Sequence, residues 1–167
     1  MSAIENLGVA TAGGERMELP NGGAAWLPCM VGAACTFGES VSVGCLAHVG
    51  RGVSIGNRVR IQGGAYIADG CELGDDCFIG PNVTLLNDRH PPSNDSALWQ
   101  PVIVKAGSVI GGGATVLPGV TVGERAVVGA GAVADKNIPA DEVWVGVPAK
   151  FIMTRVEYEA KRGREDE

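Results

Sequence analysis

The stretch from Val53 to Leu86, VSIGNRVRIQGGAYIADGCELGDDCFIGPNVTLL, repeats one pattern every six residues. A large aliphatic residue or Phe recurs at each step, often followed by Gly, and a small or β-branched residue stands four positions later. Extended backwards, the series of large residues is Val31, Phe37, Val43, Val49, Ile55, Ile61, Ile67, Leu73, Ile79 and Leu85. Residues six apart share no face of an α-helix, so the period predicts short strands joined by tight corners, many of them at glycine.

One six-residue rung cannot bury its apolar residue alone, so successive rungs have to stack on one another. The pattern continues later in the chain through Val104, Ile110, Val116, Val122 and Val128. The 26 glycines and the low aromatic content of 5% fit a chain with many corners better than a helical bundle. The sequence therefore predicts a single all-β domain that winds as a solenoid.

The series is interrupted once. From Leu85 to Val104 the spacing is nineteen residues, which is not a multiple of six, so the segment 87–100 is an insertion that loops out of the solenoid. The segment contains a Pro91–Pro92 pair and Trp99, which favour a fixed irregular path that docks on its return. The alternative is a disordered surface insertion.

Composition narrows the classes of partner and compartment. The net charge of -6 gives no reason to expect nucleic acid or an anionic membrane surface as a partner. No apolar run reaches the roughly 18 residues that span a bilayer, and the N-terminal stretch lacks the features of a signal peptide. We therefore expect a cytoplasmic protein. Four of the five cysteines occupy the small inward position of a rung, which predicts packing rather than disulfides or metal ligation: Cys29, Cys35, Cys71 and Cys77.

The six-residue repeat resembles that of the hexapeptide-repeat acyltransferases, which fold as left-handed parallel β-helices. The stretch GVPAK, Gly146–Lys150, is similar to the signature that closes the prism in that family. The stretch Arg60–Asp88, with its IQ, DD, GPN and final ND, resembles bacterial N-acetyltransferases that act on nucleotide-linked amino sugars. The resemblance implies a left-handed parallel β-helix with one inserted loop and a short C-terminal α-helix, and it implies acetyl-CoA as co-substrate.

The same resemblance implies an arrangement of segments and subunits. It gives an irregular N-terminal cap at 1–24, the β-helix at 25–150 and a C-terminal helix at 151–167 whose apolar start covers the open end of the prism. It also implies a homotrimer with its sites between subunits, in which the loop 87–100 of one chain reaches over its neighbour.

The loop is expected to carry the chemistry. In the amino-sugar relatives an Asn at the place of Asn87 is thought to hold the acceptor amine while the leaving thiolate takes the proton, and Asp88 completes the matching ND pair. His90 departs from that pattern, and RHPP is similar to the His-Pro of sugar O-acetyltransferases, where a histidine is the general base. His90 is thus a candidate base, a substrate-binding residue or an ordinary loop residue.

Further residues are candidates for contact with each substrate, and those on the coenzyme A side follow from the resemblance. On the acceptor side these are Gln62, Tyr66, Asn82 and Arg89. On the coenzyme A side they are Gly112, Ala130, Asp135, Lys136, Lys150 and Arg155. The alternative is burial between subunits for Tyr66, an exposed position without a partner for Arg89, ordinary corner geometry for Gly112 and Ala130, and a solvated charge for Lys150. No metal is expected, because zinc enzymes of related fold use three histidines and this chain has two, His48 and His90.

These features together favour an acetyl-CoA-dependent N-acetyltransferase for a nucleotide-linked amino sugar, of the 3-amino type, in the synthesis of surface glycans. One alternative is O-acetylation of a sugar or another small molecule with His90 as the base. A second alternative is a β-helix scaffold or binding module without catalysis.

Overall fold

A computed structural model describes residues 14–162, so the expectations for residues 1–13 and 163–167 lie outside it. Nearly all of the strands are two residues long, as a six-residue rung with a corner requires. The strands are β1 (Arg16–Glu18), β2 (Ala24–Trp26), β3 (Met30–Val31), β4 (Thr36–Phe37), β5 (Ser42–Val43), β6 (His48–Val49), β7 (Ser54–Ile55), β8 (Arg60–Ile61), β9 (Tyr66–Ile67), β10 (Glu72–Leu73), β11 (Phe78–Ile79), β12 (Thr84–Leu85), β13 (Ile103–Val104), β14 (Val109–Ile110), β15 (Thr115–Val116), β16 (Thr121–Val122), β17 (Val127–Val128), β18 (Val133–Ala134), β19 (Glu142–Val145) and β20 (Lys150–Thr154). Residues 14–162 also form two short 3-10 turns, Pro20–Gly22 and Ser96–Leu98, and one α-helix, α1 (Arg155–Arg162).

Every third strand stacks on the same face, which gives a triangular prism with three sheets. The first sheet runs β2-β5-β8-β11-β14-β17-β19, the second runs β3-β6-β9-β12-β15-β18, and the third runs β4-β7-β10-β13-β16. Neighbouring strands within these runs are parallel, and before the insertion their partners are eighteen residues apart, as Ile61 and Ile79 are. Eighteen residues are three rungs, so three rungs make one coil and the chain winds through about seven turns. The predicted all-β, parallel β-helix fold with one insertion and a short C-terminal helix is therefore confirmed.

The large residue of each rung points into the prism, where it is removed from water. Ile61, Ile67, Ile79, Leu85 and Ile110 are all 0% exposed. Their burial is the main favourable term for the fold, because each fully buried aliphatic side chain contributes about 1.5–3 kcal/mol. Since only stacked rungs achieve it, the solenoid is stable as a stack rather than as single coils.

The insertion leaves and re-enters the solenoid at one point, the corner between the second and third sheets. There the backbone N–H of Gln100 donates to the carbonyl oxygen of Asn87 at 2.6 Å, so the two ends of the loop are joined. The strand after the loop, β13, pairs in parallel with β10, and the stack continues without a gap in the third sheet. The bond between Gln100 and Asn87 joins the first and last residues of the segment 87–100.

The two ends of the prism differ from expectation. At the N-terminal end the segment expected to be irregular contains β1, which pairs with β2 in antiparallel fashion. At the C-terminal end the chain first forms β20, antiparallel to β19, and the helix begins at Arg155 rather than at residue 151. Phe151 and Ile152, expected to cover the open end, are about half exposed at 49% and 47%. Trp144 packs against the core there, because its place in β19 opposite Val128 is the inward position of the last rung.

Within residues 14–162 there is no helix with the length and hydrophobicity that crossing a membrane would require.

Candidate active site

The inserted loop is ordered by its own acidic side chains. The Asp88 carboxylate accepts the backbone N–H of His90 at 3.0 Å and that of Ser93 at 2.9 Å. Asp95 accepts the backbone N–H of Ala97 at 2.9 Å and so begins the 3-10 turn Ser96–Leu98. Because these bonds tie residues 88–97 to one another, the loop has a defined backbone path.

Asn87 stands at the base of the loop with one side of its amide fixed. Its Nδ2 donates to the carbonyl oxygen of Asp69, one coil earlier, at 3.1 Å. A carbonyl oxygen can only accept, so this bond settles which side of the amide is nitrogen. No donor among residues 14–162 bonds to the Oδ1 of Asn87. The side chain therefore presents an oriented hydrogen-bond acceptor beside the second sheet.

His90 presents its side chain differently. Its backbone N–H is held by Asp88, but the residue is exposed and its imidazole makes no hydrogen bond within the described part of the chain. Arg89 turns the other way, since one of its terminal nitrogens donates to the carbonyl oxygen of Pro118 at 3.2 Å. The loop thus offers a histidine to solvent and uses its arginine as a tie to the following coil.

The outer face of the second sheet carries an aromatic pair on the coils before the loop. Tyr66 in β9 stacks on His48 in β6 with the ring centroids 4.6 Å apart and an interplanar angle of 24°. Tyr66 is 42% exposed. Gln62 and Asn82 lie at the corner between the first and second sheets, where Asn82 adopts a left-handed conformation with φ of 55°. The residues assigned to the acceptor thus border the second sheet, with Arg89 in the loop at its far corner.

The residues assigned to coenzyme A fall into two groups. Gly112 and Ala130 lie on neighbouring coils at the corner between the first and second sheets, as the bond from the N–H of Gly131 to the carbonyl oxygen of Gly112 at 2.9 Å shows. Asp135 is exposed after β18, and Lys150 is exposed at the start of β20.

Two of the cationic residues in that set already have partners. The Nζ of Lys136 lies 5.4 Å from the centroid of the Trp144 ring at the end of the prism. Arg155 is bound through its Nε to Glu159 at 2.8 Å and through a terminal nitrogen to the carbonyl oxygen of Arg125 at 3.2 Å. Arg155 therefore anchors α1 to the corner between the third and first sheets.

A groove of about 590 Å³ lies on the outer face of the first sheet and extends from β11, on the coil before the loop, to β19. Its floor is apolar and is formed by Phe78, Val109, Val127 and Val143, and its far wall is formed by β20 and α1. Ala130 borders the groove where it meets the second sheet, and Lys161 stands on the helical wall. An apolar channel with a cation at its side suits a slender chain that carries an anionic group.

Sequence reasoning missed this groove and Lys161, although a signal was present. The outward residue of a rung is commonly polar, as Thr84 and Thr121 are, yet Val109 and Val127 are apolar and lie on the same face. An apolar outward pair eighteen residues apart marks a face that is covered or occupied. Lys161 gave no sequence signal, because its approach to the groove depends on how α1 folds back.

Within one chain the structure does not gather all of these residues at one point. Asn87, Asp88, Arg89 and His90 lie at the corner between the second and third sheets. Gly112, Ala130 and the groove lie at the other corner of the second sheet. The second sheet, with Tyr66 and His48 on its outer face, separates the two.

Two of the cysteines, Cys71 and Cys77, are fully buried in the core and away from this site. Burial is the main cause that raises the pKa of Cys71 and of Cys77, in each case to about 11, so both thiols stay protonated at neutral pH. A protonated buried thiol is a poor nucleophile and a poor metal ligand. In the described range, residues 14–162, no group of three or more His, Cys, Asp or Glu side chains could hold a metal ion.

Family models match the repeats on both sides of the loop. The model described as bacterial transferase hexapeptide (six repeats) matches residues 52–87, and the one described as hexapeptide repeat of succinyl-transferase matches residues 101–136. A Schizosaccharomyces pombe protein named "Putative acetyltransferase" is 45% identical over 78 residues, which are 44% of this chain and 38% of that protein. The chain thus aligns with less than two fifths of this relative.

Solved structures extend the likeness to most of the solenoid. PerB of Caulobacter crescentus, solved with CoA and GDP-perosamine, is 31% identical over 76% of this chain and 55% of its own, with a TM-score of 0.66. The acetyltransferase domain of PglB from Neisseria gonorrhoeae, solved with acetyl coenzyme A, is 25% identical over 77% of this chain and 56% of its own, with a TM-score of 0.67. The chain spans about half the length of these two chains. By its repeats and its fold, the chain resembles the hexapeptide-repeat acyltransferases, among them bacterial nucleotide-sugar N-acetyltransferases.

Proposed function

We propose that the protein is an acetyl-CoA-dependent N-acetyltransferase whose acceptor is a nucleotide-linked amino sugar. The observation that carries the proposal is the oriented side chain of Asn87, whose nitrogen is bound to the carbonyl oxygen of Asp69 and whose oxygen has no partner in residues 14–162. An amide oxygen in that state can accept an N–H of an amine and so point the nitrogen lone pair at a thioester. The resemblance to an enzyme solved with CoA and GDP-perosamine supports the same choice.

The proposed reaction needs positioning more than a strong base. An amine on a sugar ring, beside a hydroxyl group, should titrate near the α-amino value of about 8, so roughly a tenth of it is neutral at pH 7. The neutral amine attacks the thioester carbonyl carbon, the C–N bond forms, and the C–S bond then breaks. The thiolate that leaves takes the proton released by the nitrogen, which yields the acetamide and free coenzyme A. Fixing the amine close to the carbonyl supplies the catalytic advantage.

The donor is assigned to the apolar groove on the first sheet. The pantetheine arm of acetyl-CoA is a slender, largely apolar chain, which suits a floor of Phe78, Val109 and Val127. Its phosphates would meet Lys161 on α1. No metal takes part in the proposed step.

We place the complete site between two chains of a homotrimer. In one chain the loop and the groove lie at opposite corners of the second sheet, so the acceptor bound at Asn87 and the donor bound beside Ala130 do not meet. Threefold symmetry brings one corner of each prism to the other corner of its neighbour, because a cyclic interface joins two different patches. The loop of one chain would then face the groove of the next. The proposed enzyme is cytoplasmic, in keeping with its charge and composition.

O-acetylation of a sugar or another small molecule is the second candidate, and the state of His90 favours it. Its imidazole is exposed on an ordered loop and makes no hydrogen bond within residues 14–162, so it is free to accept a proton. A hydroxyl acceptor is a weak acid and requires such a base.

The test is release of coenzyme A from acetyl-CoA, measured by chromatography, with UDP-, dTDP- and GDP-linked amino sugars and with the matching hydroxyl sugars as controls. For an amine acceptor, Asn87→Ala should lower kcat by about 100-fold or more, the scale of a lost positioning contact, whereas His90→Ala should have a smaller effect. The reverse order of effects indicates a hydroxyl acceptor. If the wild-type chain released no coenzyme A with any acceptor, the enzyme proposal would fail and a scaffold role would remain.

A further inference from the structure

Both oxygens of the Asp88 carboxylate serve the backbone of the loop. Oδ1 accepts the N–H of His90 at 3.0 Å, and Oδ2 accepts the N–H of Ser93 at 2.9 Å. The first bond closes a turn directly after Asn87, and the second spans five residues and draws the following segment back. One side chain thus determines the course of the loop from residue 88 to residue 93.

Asn87, directly before this turn, is held through its side chain and through its backbone. Its side-chain nitrogen is bound to the carbonyl oxygen of Asp69 at 3.1 Å, and its carbonyl oxygen accepts the N–H of Gln100 at 2.6 Å. The segment between Asn87 and Gln100 has one internal carboxylate at each end, Asp88 and Asp95. Of these two carboxylates, only that of Asp88 is bonded to His90.

The chemistry of this carboxylate is wrong for a proton acceptor at neutral pH. The backbone N–H of Ser93 is the main cause that holds the pKa of Asp88 below its usual value, with a further contribution from His90. A general base works best when its pKa is near the working pH. The pKa of a carboxyl group is ordinarily well below neutral pH, and that of Asp88 is lowered further. Protonation would also weaken the two bonds that order the loop.

We infer that Asp88 is a positioning residue, which acts on the reaction by holding His90 and the turn that follows Asn87 in place rather than by moving a proton. The inference rests on the proposed acetyltransferase function for its kinetic part, and on the loop geometry alone for its structural part. It separates two neighbours of similar polarity: Asn87 is the proposed contact to the acceptor, and Asp88 builds the turn that follows it and holds His90.

The experiment combines Asp88→Ala and Asp88→Asn with hydrogen exchange and kinetics on the full chain. In Asp88→Ala we expect faster amide exchange at residues 89–94 and a kcat at least tenfold lower. Asp88→Asn should lie between this variant and the wild type, because its single amide oxygen can still accept one of the two N–H groups. In both variants the pH at which kcat/KM is half-maximal should stay where it is in the wild type.

The matched control is Asp95→Ala, since Asp95 is a carboxylate of the same loop that accepts one backbone N–H, that of Ala97. It should speed exchange at residues 96–98 and leave kcat within about twofold.

Two results would overturn the inference. Unchanged exchange at residues 89–94 in Asp88→Ala would show that the carboxylate does not order the loop. Loss of the acidic limb of the pH profile in Asp88→Asn, with exchange unaltered, would identify Asp88 as a base. If the wild-type chain proved inactive, the proposed function would fail, while the exchange data would still decide whether Asp88 orders the loop.

Discussion

Replacing Ala130 by Leu should weaken donor binding without weakening the fold. Ala130 is exposed and borders the groove on the first sheet, so a larger side chain would extend into the groove and not into the core. A Leu adds three carbons to a channel of about 590 Å³ that a pantetheine arm would have to thread. A misfit of this kind is worth about 1–3 kcal/mol, and 1.4 kcal/mol is tenfold, so we expect KM for acetyl-CoA to rise by about 5-fold to 140-fold.

Ala140→Leu is the matched control for this change. Each of the two alanines is stacked on a glycine of the preceding coil: a Cβ built on Gly111 would lie 2.5 Å from the backbone nitrogen of Ala130, and one built on Gly123 would lie 2.5 Å from that of Ala140. Ala140 is also exposed, but it lies at the corner between the third and first sheets and does not border the groove.

The assay is the initial rate as a function of acetyl-CoA concentration, with thermal unfolding and the mass in solution as checks on folding and assembly. Ala140→Leu should leave KM within about twofold of the wild type. If Ala130→Leu did the same while folding normally, the donor would not pass through this groove, and the assignment of the groove to acetyl-CoA would be refuted.

Three other outcomes can be measured. Lys161→Ala should raise KM for acetyl-CoA severalfold at low salt and less at high salt, because the contact with the donor phosphates is exposed and screened; an effect independent of salt would contradict that contact. Gly113→Ala should lower the free energy of unfolding by about 1–2 kcal/mol in a denaturant titration, because Gly113 has φ of 68° and open space around it. Gly80→Ala should lower it more, because the added Cβ would lie 2.6 Å from the backbone nitrogen of Gly112 on the next coil. Cys71 and Cys77 should resist a thiol reagent at pH 8 in the native protein: a pKa raised from 9.0 to about 11 leaves about a hundredfold less thiolate, and labelling at the rate of a free thiol would show that they do not face inward.

The body of the solenoid was predictable because its cause is local and repeated. Each rung carries its own inward residue, and ten successive rungs from Val31 to Leu85 fix the same register without any long-range information. The break was predictable for the same reason, since nineteen residues between Leu85 and Val104 cannot be a whole number of rungs. The fifteen rungs from Val31 to Val128 account for about five coils at three rungs each, whereas the structure has about seven, because strands such as β2 and β18 lie outside that run of large residues.

The ends and the groove were not predictable because they depend on what the fold brings together. The sequence of residues 150–154 has no feature that predicts antiparallel pairing with β19. The helix begins only at Arg155, whose side chain bonds to Glu159 and to the carbonyl oxygen of Arg125. Trp144 packs against the core because it pairs with Val128, and this register is set by the fold. Asp88 could be recognised from its motif, but its use of both oxygens on the backbone could not.

Because the two ends of the loop are bonded to each other, the loop can be exchanged without disturbing the rungs on either side. Because Gln100 is bonded to Asn87, and β13 stacks on β10 as if the intervening residues were absent, residues 88–99 can change in length and sequence while the rungs keep their register. Changes in this segment can then alter recognition of the proposed acceptor, while the coils that would hold acetyl-CoA keep their structure. A chimera that carries the corresponding loop of a related enzyme should therefore fold like the parent and differ from it chiefly in the acceptor it accepts.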